Sequence, residues 1–333
     1  MRYFITMMTV CAISLTSVSA LASFSFQFEF GSKGKDVGEF NDPGGIQVDD
    51  QLNIYVLDTD NDRIQIFDRH GNFTREFGMT GRGRGQFQRP EHFRVDRMNN
   101  RIYVADSRNN RVQVFDINGQ YLFAFGVTGS GRGQFNRPEG IDIDSTGRMF
   151  VSDSNNDRVQ VFDATGSYLF EFGDRGSDLG ELRNPEGINV DLHGNVYVAD
   201  SENHRMAVFN NSGSFLFNVG GKGRVEGKFE SLEGIATDAM GNIYVADSDN
   251  HRIQTFDSAG IFQFAIGEHG SAVEQFREPE DIAISSDGSW LFIADTDNDR
   301  IQVFAIPEPS SIVVALLGLA GLTACRRRNR NRR

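Results

Sequence analysis

The chain has 333 residues, a formal net charge of −13, 29 Phe, 36 Gly and 2 Cys. Its acidity excludes general nucleic-acid binding, which needs a basic surface to meet phosphates. Cys11 and Cys325 flank everything else, so no disulfide can form among the residues between them, and some other device must hold that segment closed.

Residues 1–22 are predicted to be a secretory signal peptide. Arg2 precedes an apolar run, and Ala20-Leu21-Ala22 supplies an A-x-A cleavage site. Cys11 lacks small residues just before it and is not a lipidation site. The tail, residues 307–333, holds Glu308 and six arginines. Setting aside Arg2 and the net +5 of the tail leaves −19 on residues 23–306. Such a surface suits solubility, cations or cationic partners.

Residues 23–306 are a repeat. VADSDNHRIQTFD at 245 has counterparts at 56, 104, 151, 198 and 293. The leading aspartates Asp58, Asp106, Asp153, Asp200, Asp247 and Asp295 step by 47 or 48 residues. The arginines Arg63, Arg111, Arg158, Arg205, Arg252 and Arg300 keep the same steps. Six units of this size form one closed domain rather than two.

Within residues 185–220, the apolar runs GINV, NVYVAD, RMAVFN and SFLFNV predict four strands. His193-Gly194 and Ser212-Gly213 supply tight turns between them. Val196-Tyr197-Val198 is apolar on both parities, which a sheet covered on both faces requires. The pattern predicts an all-β fold: a six-bladed β-propeller of four-stranded antiparallel blades. The sixth unit ends at IQVFAI, its third strand, while SFQFEFG at 25–31 matches the fourth strand SYLFEFG at 167–173. The N-terminal strand is therefore expected to close the last blade.

The unit PEGIxxDxxGNxYVADSxNHRIQVFD resembles the NHL repeat, over nearly all of residues 24–306. That resemblance implies a six-bladed propeller and leaves function open, because the fold hosts binding modules and enzymes alike. Animal NHL proteins often add a RING finger with ubiquitin-ligase activity. The chain has no metal-spaced cysteines, so that role does not carry over. RNA binding by other family members depends on basic surfaces, and this chain is not expected to bind nucleic acid.

The repeated Asp…Arg turn lies between the second and third strands, on the face called the top. A structural turn with an ion pair is expected there. The equivalents of His251 are Asp62, Asn110, Asp157, His204 and Asp299, so no imidazole chemistry is encoded. DTDND at 58 and 295 starts like a calcium loop but lacks the Gly and Glu that complete one. The Gly-rich linkers at 78 and 126 lack the Lys and helix of a phosphate cradle. Their arginines Arg82, Arg84, Arg89, Arg132 and Arg137 form either solvated loop charge or an anion-binding patch, suited to acidic polysaccharide.

Glu91, Glu139, Glu186, Glu233 and Glu280 form a ring at the channel mouth, with Gly44 in the sixth place. They must pair with the repeat's own arginines or hold a divalent cation such as calcium. No other cofactor is implied. The next positions break symmetry in three adjoining blades: Asp281 in the sixth, an open Gly44-Gly45 gap in the first, and His92 with Arg94 in the second. With Asp142 on the same strand parity, they make the candidate ligand pocket, and Arg82 and Arg84 are its neighbours on the top face.

The tail reads Pro307-Glu308-Pro309, a short apolar segment over residues 312–325, then an arginine cluster that includes Arg326, Arg327 and Arg328. It resembles the PEP-CTERM sorting signal. That resemblance implies a Gram-negative host, an exosortase-type processing enzyme and passage through the membrane on a short transmembrane helix. A permanent anchor is the alternative. The expected protein is exported, at the cell envelope or outside, and binds a protein or polysaccharide on its top face. The alternative is a metal-dependent propeller enzyme of lyase or lactonase type, working at the channel mouth.

Overall fold

Short β-rich runs alternate with tight-turn residues, and each unit folds into an antiparallel blade. In blade 4 the strands are Pro185–Val190, Asn195–Asp200, Arg205–Asn210 and Phe215–Gly220, paired in that order. The computed structural model describes residues 24–307. The expected signal peptide and the sorting tail beyond Pro307 lie outside the described residues. Ser25–Ile306 form one unit with six four-stranded sheets.

The inner strands of neighbouring blades touch all round, from the first blade through to the sixth and back. Blade faces supply the core. Val196 and Val198 pack with Val159 and Val161 of blade 3, while Tyr197 and Ala199 pack with Ile243 and Val245 of blade 5. This is why the second strand is apolar on both parities.

The ring closes as the sequence predicts. Ser25–Phe30 pairs antiparallel with Arg300–Ala305, with Ser25 opposite Ala305 and Phe30 opposite Ile301. Phe30 then reaches blade 1, 4.8 Å from the Phe67 ring and 6.2 Å from Phe40. One strand thus completes the sixth blade and staples it to the first.

The Gly-rich linkers seat an aromatic wedge between blades. Phe87 is fully buried, and its N–H and C=O bond back to Met79 and Gly81 of its own linker. Gly78 turns beneath it at φ +100°, where a Cβ would stand 2.6 Å from the ring. Only glycine meets both demands.

Candidate functional site

The top face is built from the six repeated turns. Ser248–Asn250 is a single 3-10 turn that ends on His251 at φ 55°. Its five equivalents are also left-handed, at φ 53–56°. Asn, Asp and His are the side chains that tolerate this region best, which explains the slot's composition. The slot also has a task. Asp62 Oδ1 accepts the N–H of Arg89 at 2.7 Å, Asn110 Oδ1 that of Arg137 at 2.7 Å, and Asp157 Oδ1 that of Asn184 at 2.9 Å. His251 Nδ1 accepts from Glu278 at 3.2 Å and Asp299 Oδ1 from Asp42 at 3.2 Å. Each of these side chains caps the linker entering the next blade. His204 departs, with Nδ1 facing the Glu230 carbonyl at 2.6 Å.

Asp247 is fully buried beside this slot. Arg252 Nε donates to its Oδ2 at 2.7 Å, Asn250 Nδ2 bridges both oxygens at 2.9 and 3.0 Å, and Gln254 Nε2 adds a bond at 2.9 Å. Its Oδ1 accepts the Glu230 N–H at 3.1 Å. That donor comes from the incoming linker and not from the turn itself. The same Asp–Arg pair recurs for Asp58–Arg63, Asp106–Arg111, Asp153–Arg158, Asp200–Arg205 and Asp295–Arg300, at 2.7–2.9 Å. Every oxygen is engaged, so these residues hold the fold and do no chemistry.

The glutamate ring stands on the same face, since the Ser201 hydroxyl of one turn donates to Glu186 Oε2 at 2.8 Å. Glu91, Glu139, Glu186, Glu233 and Glu280 line one pocket of about 230 Å³ with Gly44, Arg89, His92 and Arg137. The repeat's own arginines do not reach it, contrary to expectation, because the leading aspartates hold them. The cations come from the residue before the proline. Arg89 Nε donates to Glu91 Oε1 at 3.0 Å. Arg137 Nε lies 2.6 Å from Glu139 Oε1, and its Nη2 3.5 Å from Glu91. The equivalent residues are Asn184, Ser231, Glu278 and Asp42, so positive charge sits on one side of the mouth only.

Asn184 Nδ2 and the Ser201 hydroxyl hold Glu186. Among the described residues, Glu233 and Glu280 have no hydrogen-bond donor or cation against their carboxylates. Burial and then the charge of Glu186 push Glu139 up to about 8, and burial pushes Glu186 up to about 7. Burial and neighbouring carboxylates raise Glu233 and Glu280 well above the ordinary range. Among the described residues, no group of three or more acids, imidazoles or thiols is placed to hold a metal ion.

One step further along the inner strands, the structure brings together the residues that break symmetry. His92 Nε2 lies 3.2 Å from Asp281 Oδ2, which accepts the Ile46 N–H at 2.8 Å. Burial opposes charge on His92, but the carboxylates of Asp281 and Asp142 hold its pKa above the usual value. Arg94 Nε lies 2.8 Å from Asp142 Oδ1, and its Nη1 donates to Gln47 at 3.0 Å. Asn189 continues the belt to Asp142 at 3.2 Å, and Thr237 to Asn189 at 2.7 Å. Of His92, Arg94, Asp142 and Asp281, only His92 lines the pocket. The expected Gly44-Gly45 gap is filled. A Cβ on Gly44 would stand 2.7 Å from Thr59 Oγ1 and 2.9 Å from Glu280 Oε2.

The basic patch is dispersed, because Arg89 and Arg137 serve the ring. Arg82 lines a second pocket of about 530 Å³ with Thr59, Asp60, Asp62, Thr80, Gln88, Arg89 and Arg108. Arg84 lies over the Tyr121 ring at 5.7 Å. Sequence reasoning missed Arg108 and Thr59. In the other five turns the Ser or Thr equivalent to Thr59 donates to a carbonyl of the next blade. The Thr59 hydroxyl is buried without a partner. The clue in the sequence is the next blade's PEH in place of PEG, which alters the strand it would meet.

Comparison with known proteins places this geometry. Residues 33–108 and 95–148 match a family described as a 6-bladed beta-propeller, and 135–162, 182–209 and 229–256 match the NHL repeat. Residues 305–329 match the PEP-CTERM protein-sorting motif. A 77-residue stretch is 39% identical to the protein brain tumor of Drosophila melanogaster, covering 23% of this chain and 7% of that protein. Another of 48 residues is 44% identical to the B-box type zinc finger protein ncl-1 of Caenorhabditis elegans, covering 14% and 6%. The chain thus spans less than a tenth of these relatives. A Bacteroides thetaiotaomicron protein of unknown function superposes with a TM-score of 0.68 at 18% identity, over 85% of this chain and 76% of that one. Virginiamycin B lyase from Staphylococcus aureus, solved with quinupristin, gives 0.59 at 14%, over 85% and 99%. At such identities the likeness shows the fold alone. Among the described residues no helix is long and apolar enough to cross a membrane. The apolar tail segment lies outside them.

Proposed function

We propose, from the premise that the chain is an NHL-repeat six-bladed β-propeller ending in a PEP-CTERM sorting motif, that it is an exported binding scaffold. It would work at the cell envelope or outside and recognise a protein or polysaccharide on its top face. The observation that carries this reading is the pair of adjoining top-face pockets, the acidic mouth and the Arg82–Arg108 shoulder, which share Arg89 as their wall. Rigid turns surround both, so the binding surface is preorganised. The motif at residues 305–329 supports handling by an exosortase-type enzyme, with the membrane as a transient or lasting stop.

The test is binding of the full chain to uronate polysaccharides and envelope proteins on a biosensor. An Arg82→Ser, Arg108→Ser variant or a Glu233→Gln, Glu280→Gln variant should weaken its ligand at least about tenfold. Unchanged binding in both variants refutes the top-face reading. Sorting is tested separately: alanines at Pro307, Glu308 and Pro309 should leave the unprocessed chain with the inner-membrane fraction. A second reading, a lyase or lactonase at the mouth, draws on Glu139 and Glu186, whose pKa values of about 8 and about 7 suit general acid–base work. Turnover of a cyclic ester that disappears in Glu139→Gln would favour it.

A further inference from the structure

We propose that the glutamate mouth is a receptor for a guanidinium or primary ammonium group, held between Glu233, Glu280 and Glu139. This rests on reading the top face as the binding face and names the chemistry that the mouth selects. Five glutamates and two arginines line the pocket. The charge of His92 is matched by Asp281 at 3.2 Å. With its glutamates ionised the pocket is negative as a whole, and the negative charge is lopsided. Arg89 and Arg137 are spent on Glu91 and Glu139 Oε1, at 2.6–3.5 Å. Across the mouth, Glu233 feels the charge of Glu280, and among the described residues no cation forms an ion pair with either; Arg89 reaches Glu280 only through its more distant charge.

A second observation is independent of the acid count. Glu139 is 5% exposed, and its Oε2 is buried without a hydrogen-bond partner. A buried acceptor left unpaired costs about 1–3 kcal/mol, and a donor brought by a ligand removes that cost. Thr59 Oγ1, equally buried and unpaired, adjoins Glu280 at the Gly44 position. Both of these open valences can accept a proton donor. Guanidinium and ammonium carry donors alone, five and three.

Size favours an organic cation over a bare metal ion. The pocket of about 230 Å³ has room for several waters at roughly 30 Å³ each. Its carboxylates are not gathered into a coordination shell. A butyl-length chain with a charged end fits that space, whether it belongs to a free amine or to an Arg or Lys side chain of a partner.

The experiment is calorimetric titration of the full chain at pH 8.5 and constant ionic strength. The probes are agmatine, n-butylamine, a blocked Gly-Arg-Gly peptide, tetramethylammonium and calcium chloride. One-to-one binding of agmatine or butylamine is expected, with tetramethylammonium, which has no N–H, at least tenfold weaker. Glu233→Gln and Glu280→Gln should each weaken the amine at least tenfold, whereas Glu202→Gln, an exposed acid of the same face, should not. Both variants remove repulsion, so unfolding midpoints at or above that of the native chain will show that they fold. Binding of the blocked peptide as well as agmatine assigns the site to a partner's side chain; agmatine alone assigns it to a free amine. Equal binding of tetramethylammonium, displacement of the amine by one equivalent of calcium, or no amine binding overturns the proposal. If amines fail while another ligand still depends on Glu233 or Glu280, the mouth remains a binding site and only its chemistry was misread.

Discussion

At the scale of single residues, two neighbours in the same turn have opposite tolerance. Asp247 is fully buried and gathers donors from Arg252, Asn250, Gln254 and the Glu230 backbone. Removing one partner of a buried charged network strands the others, at about 3–5 kcal/mol. Asp247→Ala should therefore lower stability by that order in chemical denaturation of the full chain. His251 needs only a left-handed backbone and one acceptor for the Glu278 N–H. Asn110 already does this work in blade 2. His251→Asn should change stability by less than about 1 kcal/mol, and a loss as large as that of Asp247→Ala would refute this account of the slot. The contrast is legible in the repeat itself, because the Asp never varies across six copies and the His position does. The backbone partner of Asp247 is not. That donor lies in the linker, and the sequence pattern does not show how the linker folds back.

At the scale of elements, the strand Ser25–Phe30 carries more of the fold than its length suggests. It supplies the outer strand of the sixth blade and, through Phe30, touches Phe40 and Phe67 of the first. Glu29 also receives Arg300 Nη1 at 2.8 Å. Deleting residues 24–30 opens the ring at the one place where no covalent link crosses it. That truncation should lower the thermal midpoint by more than 10 °C. Phe30→Ala alone should cost about 3 kcal/mol, with Gln27→Ala, an exposed residue of the same strand, as the near-neutral control. A truncated chain that melts with the full one would mean the sixth blade stands without its fourth strand. This closure was legible because a missing strand and an orphan strand share one motif. The neutralisation of the ring was not. It turns on which residue precedes each proline, and only blades 2 and 3 place an arginine there. The grouping of His92 with Asp281 could be read from blade order. That Arg94 and Asp142 are spent on each other could not, because both strand parities and both blade neighbours decide it.

At the scale of the whole molecule, the propeller brings five carboxylates from five blades to one end of an axis, on a repeat already at −19. Folding buries them together, so the folded state holds protons that the unfolded chain releases. Burial raises all four of Glu139, Glu186, Glu233 and Glu280; the first two reach about 8 and about 7, from an ordinary 4.5. Between pH 4.5 and about 8 the folded chain binds more protons than the unfolded one, so stability must fall as pH rises through that window. At lower pH both states are protonated and the difference vanishes. The unfolding midpoint of the full chain should drop by several degrees from pH 5.5 to pH 8.5, at about 2–4 °C per kcal/mol for domains of comparable size. General repulsion across an acidic surface would give the same sign, so the ring must be isolated by substitution. Glu233→Gln with Glu280→Gln should flatten the pH slope and raise the midpoint at pH 8.5, while leaving the midpoint at pH 5.5 nearly unchanged. A surface acid pair such as Glu202→Gln with Asp249→Asn should shift both pH values alike. An amine that binds the mouth should restore the lost stability at pH 8.5 in the native chain and do nothing for the double glutamine variant, because only ionised carboxylates create the deficit that a cation can fill.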